Sequence, residues 1–375
     1  MKRLFIRVMC AAAVVSLVVG TPAFAQEDID NTAIGTTSAE FLMLGAGARG
    51  AALGGSYAAL ANDIDALYWN PAGLALMDRG GAMFSTYTYV AETRYNWAGI
   101  AFPFGGGSSA IGVQLGTFGF SDQPVYTIEN PEGDGTVYSV RSTFVGLTFS
   151  RNFSDRFSAG ITGKVITDEL GDASGSSFAF DFGTNFHARV GERPISASFV
   201  IQNLGSSINH DGSALAVGVL REAPLDQQNI PQEPASARLR TKDFSLPITF
   251  RFGLAFDFIN TAASRFTLLG EFTQPNNNNA TANGALEFAL KDISQSGFGV
   301  MLRGGYTYQP DNNISPTGVA GFDTGLSSDE GMDGLSMGGA LMFDRGYGFG
   351  VSLDYAYRNL GILGATHYWS AAVHW

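Results

Sequence analysis

From residue 246 to residue 258 the chain alternates. Leu246, Ile248, Phe250, Phe252, Leu254, Phe256 and Phe258 share one parity; Pro247, Thr249, Arg251, Gly253, Ala255 and Asp257 share the other. Residues 349–358 do the same, with Phe349, Val351, Leu353, Tyr355 and Tyr357 set against Gly350, Ser352, Asp354, Ala356 and Arg358. Residues 157–166 and 178–187 follow the same rule. A period of two over about ten residues is a strand with one apolar and one polar face. Strands of soluble proteins usually run about 5–6 residues, whereas a tilted strand that crosses a bilayer needs about 9–11. One face here is large and apolar, as lipid requires, and the other is small and polar, as a wet or plugged lumen allows.

The pattern predicts strands over 82–90, 93–102, 108–118, 137–150, 155–167, 176–189, 193–203, 246–258, 263–273, 281–291, 296–307, 332–344, 347–358 and 366–375. That is an even count of about fourteen. The short turns around 105–107, 151–154, 190–193, 260–263, 291–295 and 344–346 fall on one parity, and the long connections 119–136, 204–245 and 308–331 on the other. Outer-membrane barrels have short periplasmic turns, longer outer loops and an even strand number. The last strand ends on Trp375, an aromatic suited to the lipid interface. Closure requires that strand to pair with the first, because an open edge is not viable in lipid. The expected fold is therefore all-β, a transmembrane antiparallel barrel of about fourteen strands.

One stretch does not follow the period of two. Gly45 to Ala75, GAGARGAALGGSYAALANDIDALYWNPAGLA, is built of Gly and Ala, carries one helix-like patch and stops at Asn70-Pro71. Small side chains let backbone pack against backbone, and Pro71 biases Asn70 away from helix. It reads as a compact plug, or hatch, inside the barrel. Gly45-Ala46-Gly47-Ala48-Arg49-Gly50 matches G-x-G-x-x-G, with Asp63 and Asp65 further on. A dinucleotide site would need βαβ units around it, and strand follows strand instead.

Ahead of the hatch lies an expected export signal. Lys2, Arg3 and Arg7 are basic, Val8 to Gly20 is apolar, and Ala23-Phe24-Ala25 places small residues for cleavage before Gln26. The expected division is a signal peptide over 1–25, the hatch over 26–80 and the barrel over 81–375, with the mature protein in the cell outer membrane. Cys10 lies inside the signal, so the mature chain has no cysteine for disulfides or metal. Removing Lys2, Arg3 and Arg7 takes the formal net charge from -12 to -15, which argues against a nucleic-acid partner.

The hatch sequence is similar to the plug of the PorV/PorQ family, a branch of the FadL-like outer-membrane barrels. Ile201-Gln202-Asn203-Leu204-Gly205 resembles that family's V-Q-N-L-G segment, and Leu353 to Tyr357 with Leu360-Gly361 and Leu363 to His367 resembles its C-terminal strand pair. The resemblance implies a fourteen-stranded barrel whose hatch carries the Asn-Pro-Ala element, here Asn70, Pro71 and Ala72 followed by Gly73. It implies a non-enzymatic role in type IX-like protein secretion, with secretion-system proteins or exported cargo as partners. The alternative is a FadL-like channel for hydrophobic small molecules, with Phe41, Leu44, Leu53, Tyr57 and Trp69 as candidate lining or as anchors of the hatch.

Other chemistry is weaker. Gly334-Leu335-Ser336-Met337-Gly338 fits G-x-S-x-G, yet no helical pattern follows it. His210-Asp211-Gly212-Ser213 reads as a turn in the long connection 204–245, since sequence adjacency is not triad geometry. His187 shares a strand face with Asp181, and no spacing nominates a third metal ligand. Asn276 to Asn279, Asp311 to Asn313, and Asp329, Glu330 and Asp333 are loop oxygens without EF-hand spacing. Lys164, Asp181, Arg251, Asp257, Asp354 and Arg358 fall on polar strand faces and read as lumen charges that pair across the wall and against the hatch. No enzyme, cofactor or metal is expected; outer-membrane lipid is. The 204–245 connection is a candidate contact surface for a partner.

Overall fold

The computed structural model describes residues 35–128, 130–133, 135–219, 235–291, 293, 296–309, 334–344 and 348–375. The expected signal peptide over 1–25, the proline-rich part of the long connection at 220–234, and most of the 308–331 connection lie outside the described residues.

Fourteen antiparallel strands close into a barrel. They are β1 (Gly81–Thr88), β2 (Arg94–Phe104), β3 (Ser109–Pro124), β4 (Val137–Ser154), β5 (Phe157–Leu170), β6 (Ala173–Val190) and β7 (Arg193–Gly205), then β8 (Thr249–Asn260), β9 (Ser264–Pro275), β10 (Thr281–Leu290), β11 (Phe298–Tyr308), β12 (Leu335–Asp344), β13 (Gly350–Asn359) and β14 (Ala365–His374). Each expected strand is present. The last pairs with the first, from Gly81 opposite His374 to Tyr87 opposite Tyr368, and the Trp375 amide donates to Gly80 O at 3.0 Å. No sheet edge is left for lipid to meet.

The alternation sorts as expected. Phe250, Leu254, Leu147, Val165, Leu341 and Leu353 face outward, while Thr249, Arg251, Thr148, Lys164 and Asp354 are buried inside. Some boundaries differ. Leu246 shares the parity of the outward residues of its run, but it precedes β8 and is buried. The first strand ends at Thr88 rather than residue 90, because Val90–Glu92 form a tight turn with Ala91 in the left-handed region.

Strands β4 and β6 each have 18 residues, more than a bilayer needs. They extend at the long-loop end, where β5 and β6 meet in the two-residue turn 171–172. Part of the 204–245 connection folds back on this extension. Asp211–Gly212 pair with the start of β6, Ile208 exchanges backbone hydrogen bonds with Phe244, and Ala216–Val219 pair with Ala235–Arg238.

Residues 35–80 fill the lumen. They form tight turns at Glu40–Met43 and Pro71–Leu76 and two short helices, α1 (Ala48–Ala52) and α2 (Ala66–Trp69). Small residues are required by closeness: a Cβ on Gly50 would lie 2.5 Å from the Trp69 ring, and one on Gly73 would lie 2.0 Å from Ala61 O.

Candidate functional site

The hatch and the inner wall touch through a set of buried polar ties. The central one is Arg49 on α1. Its Nε and Nη2 each donate to Glu287 of β10 at 2.9 Å, and its Nη1 donates to Asp63 at 2.7 Å. Glu287 also accepts from Arg265 at 2.5 Å and Arg303 at 2.9 Å, and Arg303 reaches Asp354 at 2.5 Å. A planar guanidinium matches a carboxylate in this forked geometry. Arg49 is the basic residue of the Gly-rich motif, and it serves as a tether. Among the described residues no βαβ unit surrounds it, so the dinucleotide pattern is coincidental.

A second tie centres on Glu271 of β9. Its carboxylate accepts from the Tyr57 and Ala58 amides at 3.0 and 2.9 Å and from Arg251 at 3.0 Å. The Arg251 guanidinium lies over the Trp69 ring, 5.0 Å from its centroid. Arg251 Nε donates to Gln202, whose amide donates to Tyr68 O at 2.6 Å. Gln114 donates to Leu67 O, Ser150 caps the Ala75 amide, and the Ala48 amide donates to Ser370.

The Asn70-Pro71-Ala72-Gly73 corner seats against β5 and β6. Asn70 Oδ1 accepts from the Ala72 amide, and its Nδ2 donates to Ala58 O at 2.8 Å and Thr184 O at 3.3 Å. The wall makes room with glycine: a Cβ on Gly183 would lie 2.2 Å from Asn70 Oδ1, and one on Gly160 would lie 2.5 Å from the Pro71 carbonyl carbon.

Within the hatch, Asp63 and Asp65 share one environment, with the Tyr57 hydroxyl 3.1 and 2.9 Å from their Oδ1 atoms. Burial alone would raise the Asp63 carboxyl, but the hydrogen bond with Asp65 and the Arg49 charge outweigh it and pull it down to about 2. Burial first, and then the Asp63 charge, push Asp65 well above the usual carboxylate range. Asp65 therefore holds a proton and Asp63 a charge.

The six lumen charges all lie on inward strand positions, and four of them form ion pairs. Lys164 meets Asp181 at 2.8 Å and also donates to Asn203. Arg251 and Asp354 belong to the ties above. Asp257 accepts from Thr267 at 2.7 Å, and Arg358 is half-buried. Of the five residues named as lining or anchors, Phe41, Leu53, Tyr57 and Trp69 are buried and Leu44 packs against the same core. Phe41 stacks on Phe118 and leans on Phe144. Tyr57 and Trp69 meet edge to face, and Trp69 Nε1 donates to Ala46 O. The long-loop half of the lumen is thus aromatic, with Tyr87 against both Tyr95 and Tyr368 nearby.

Two cavities open at the short-turn end. One, of about 350 Å3, is lined by Arg49, Asp63, Asp65, Arg303, Met301 and Met342, among others. The other, of about 230 Å3, is lined by Ala59, Leu60, His187, Ser196, Ala255 and Arg265, among others. None of Phe41, Leu44, Leu53, Tyr57 and Trp69 borders either one.

The weaker motifs dissolve. Gly334 to Gly338 leads straight into β12, so there is no strand-to-helix elbow. His210 pairs with Asp168 at 3.1 Å, while the adjacent Asp211 pairs with Arg238. His187 contacts Ser196, and Asp181 contacts Lys164, so the two do not converge. Among the described residues no cluster of three or more metal-ligating side chains occurs. Sequence reasoning missed Arg49, Glu271, Glu287 and Arg303 as a set. Their signal was available: Glu287 lies between outward Leu286 and Leu290, on the inward parity.

The closed barrel, its outward apolar belt and its buried hatch define a plugged outer-membrane β-barrel. No family model matches the chain, and no curated protein matches it by sequence. Solved structures are similar in fold. The toluene transporter TodX of Pseudomonas putida superposes with a TM-score of 0.51 at 12% identity, covering 88% of this chain and 97% of that one. The toluene transporter TbuX of Ralstonia pickettii gives 0.51 at 11% identity with the same coverage. The CymD monoaromatic hydrocarbon channel gives 0.50 at 11% identity, again covering 88% and 97%.

Proposed function

We propose that this protein is an outer-membrane channel for hydrophobic small molecules. The observation that supports this most is the likeness in fold to TodX and TbuX along nearly their whole length. The aromatic long-loop half of the lumen fits the same reading, since a hydrophobic solute leaving water gains most on such a surface. In this proposal Phe41 and Leu44 form the first apolar contact, and Leu53, Tyr57 and Trp69 anchor the hatch beneath. Export of proteins in the PorV/PorQ manner is the second reading. It rests on the three sequence patches, and the similar structures favour the channel over it.

The test is uptake of radiolabelled toluene by cells that lack their own hydrocarbon channels and express this protein. Uptake above that of cells carrying an empty vector supports the channel. Uptake equal to the empty vector, together with recovery of exported proteins on the tagged barrel, overturns it in favour of export.

A further inference from the structure

The ties between hatch and wall are distributed unevenly, and the gap in them has a defined place. Three stacked layers of inward residues run across β5 to β8. In the upper layer Gly160, Gly183, Val200 and Arg251 stand side by side, and the Asn70-Pro71 corner rests on its glycines. The next layer toward the short turns is Ser158, Asn185, Ser198 and Gly253. Below it, His187, Ser196 and Ala255 border the 230 Å3 cavity.

The middle layer is buried and polar, yet it is not bonded. Ser158 Oγ, both polar atoms of the Asn185 amide, and Ser198 Oγ have no hydrogen-bond partner among the described residues. All three residues are at most 1% exposed. Ser150 on neighbouring β4, opposite Gly160 in the upper layer and equally buried, is bonded to Ala72 O and to the Ala75 amide. Burying an amide or a hydroxyl without a partner is costly, and such groups in native proteins gain partners from water or in a second state. Hatch residue Ala59 lies directly over this layer: an ideal Cβ on Gly253 is 3.3 Å from the Ala59 Cβ and 2.8 Å from Ser198 Oγ.

We propose that the hatch parts from the wall on this flank, between residues 59–62 and strands β5 to β8, opening the 230 Å3 cavity upward to the Asn70 corner. Parting lets water or a passing polar group reach Ser158, Asn185 and Ser198, whose polar side-chain atoms have no partner among the described residues. The adjoining side at β9 and β10, where Glu271 holds the Tyr57 and Ala58 amides and Glu287 holds Arg49, acts as the fixed side. Where the channel reading holds, the opened flank is the route past the hatch. It suits a mainly apolar solute bearing one hydroxyl, amide or carboxyl group, which the Asn185 amide can meet as donor or acceptor.

The test is cysteine accessibility in a C10A background, since Cys10 is the chain's sole cysteine. Ser158→Cys, Ser198→Cys and the control Ser150→Cys are exposed to a small water-soluble methanethiosulfonate. Labelling of the first two, with little of the third, is expected. An Ala59→Cys/Gly253→Cys pair, placed within disulfide reach, should when oxidised abolish labelling of Ser158→Cys. Labelling no faster than the Ser150→Cys control, or labelling that survives the disulfide, overturns the proposal. Hydrogen exchange on the unaltered protein is an independent check. Amides of residues 59–62 should exchange faster than those of 48–54, and the reverse order overturns the proposal. Toluene uptake separates this inference from the channel reading: a flank that labels in a barrel that carries no toluene and retains exported proteins refutes the channel alone.

Discussion

Glu287 holds three guanidinium groups at once, and only one of them belongs to the hatch. Replacing Arg49 by Met leaves Glu287 paired with Arg265 and Arg303 but strips Asp63 of its cation. Breaking one side of a buried pair costs about 3–5 kcal/mol, and the remaining partners place Arg49→Met near the lower figure. Protease cleavage within residues 45–75 should appear in this variant while the barrel still migrates as folded. The Asp63–Asp65 pair gives a pH signature. An unfolded Asp releases its proton near pH 4, whereas folded Asp65 retains it. Its contribution is therefore complete below about pH 4 and is lost as pH rises toward the folded value. Asp63 has the opposite sign: its stabilisation is present above about pH 4 and is lost as pH falls to about 2. Asp65→Asn should flatten the decline of hatch stability on the alkaline side and leave the acid loss in place, as followed by thermal melting across pH.

At the scale of elements, the strands were legible because lipid imposes a strict period of two on every one of them. The exceptions occur where another demand competes. Leu246 belongs to the buried cluster under the folded-back connection, so its side chain follows that packing and not the strand parity. The hatch was legible as a plug from its glycines and alanines and from Asn70-Pro71, but its ties were not. Arg49 reaches Glu287 across 238 positions, and no local pattern reports such a distance. The parity of Lys164, Arg251 and Asp354 gave their direction, and their partners required the closed barrel. The fit of the Asn70 corner makes a direct prediction. Gly183→Ala sets a methyl against Asn70 Oδ1, whereas Gly270→Ala in β9 meets nothing within 4 Å. Hydrogen exchange in residues 66–76 should rise in the first variant and stay unchanged in the second.

At the scale of the whole molecule, the barrel and the hatch within it are built by different rules. The barrel is closed by backbone pairing and faces lipid with apolar side chains; the hatch is a small polar-tied core within it. Leu147 sits in the outward belt of β4, 57% exposed, with the buried Thr148 beside it facing the lumen. An arginine at the bilayer midplane on the lipid face costs about 2–4 kcal/mol. Leu147→Arg should therefore lower the yield of refolding into lipid vesicles and leave protease resistance of the hatch intact in the fraction that inserts. Arg49→Met should do the reverse, inserting normally and exposing the hatch. If Leu147→Arg exposed the hatch, or Arg49→Met blocked insertion, barrel and hatch would be one cooperative unit, and the hatch could not part from the wall without unfolding it. Measuring both variants by both readouts therefore tests the physical premise on which any passage through this lumen depends.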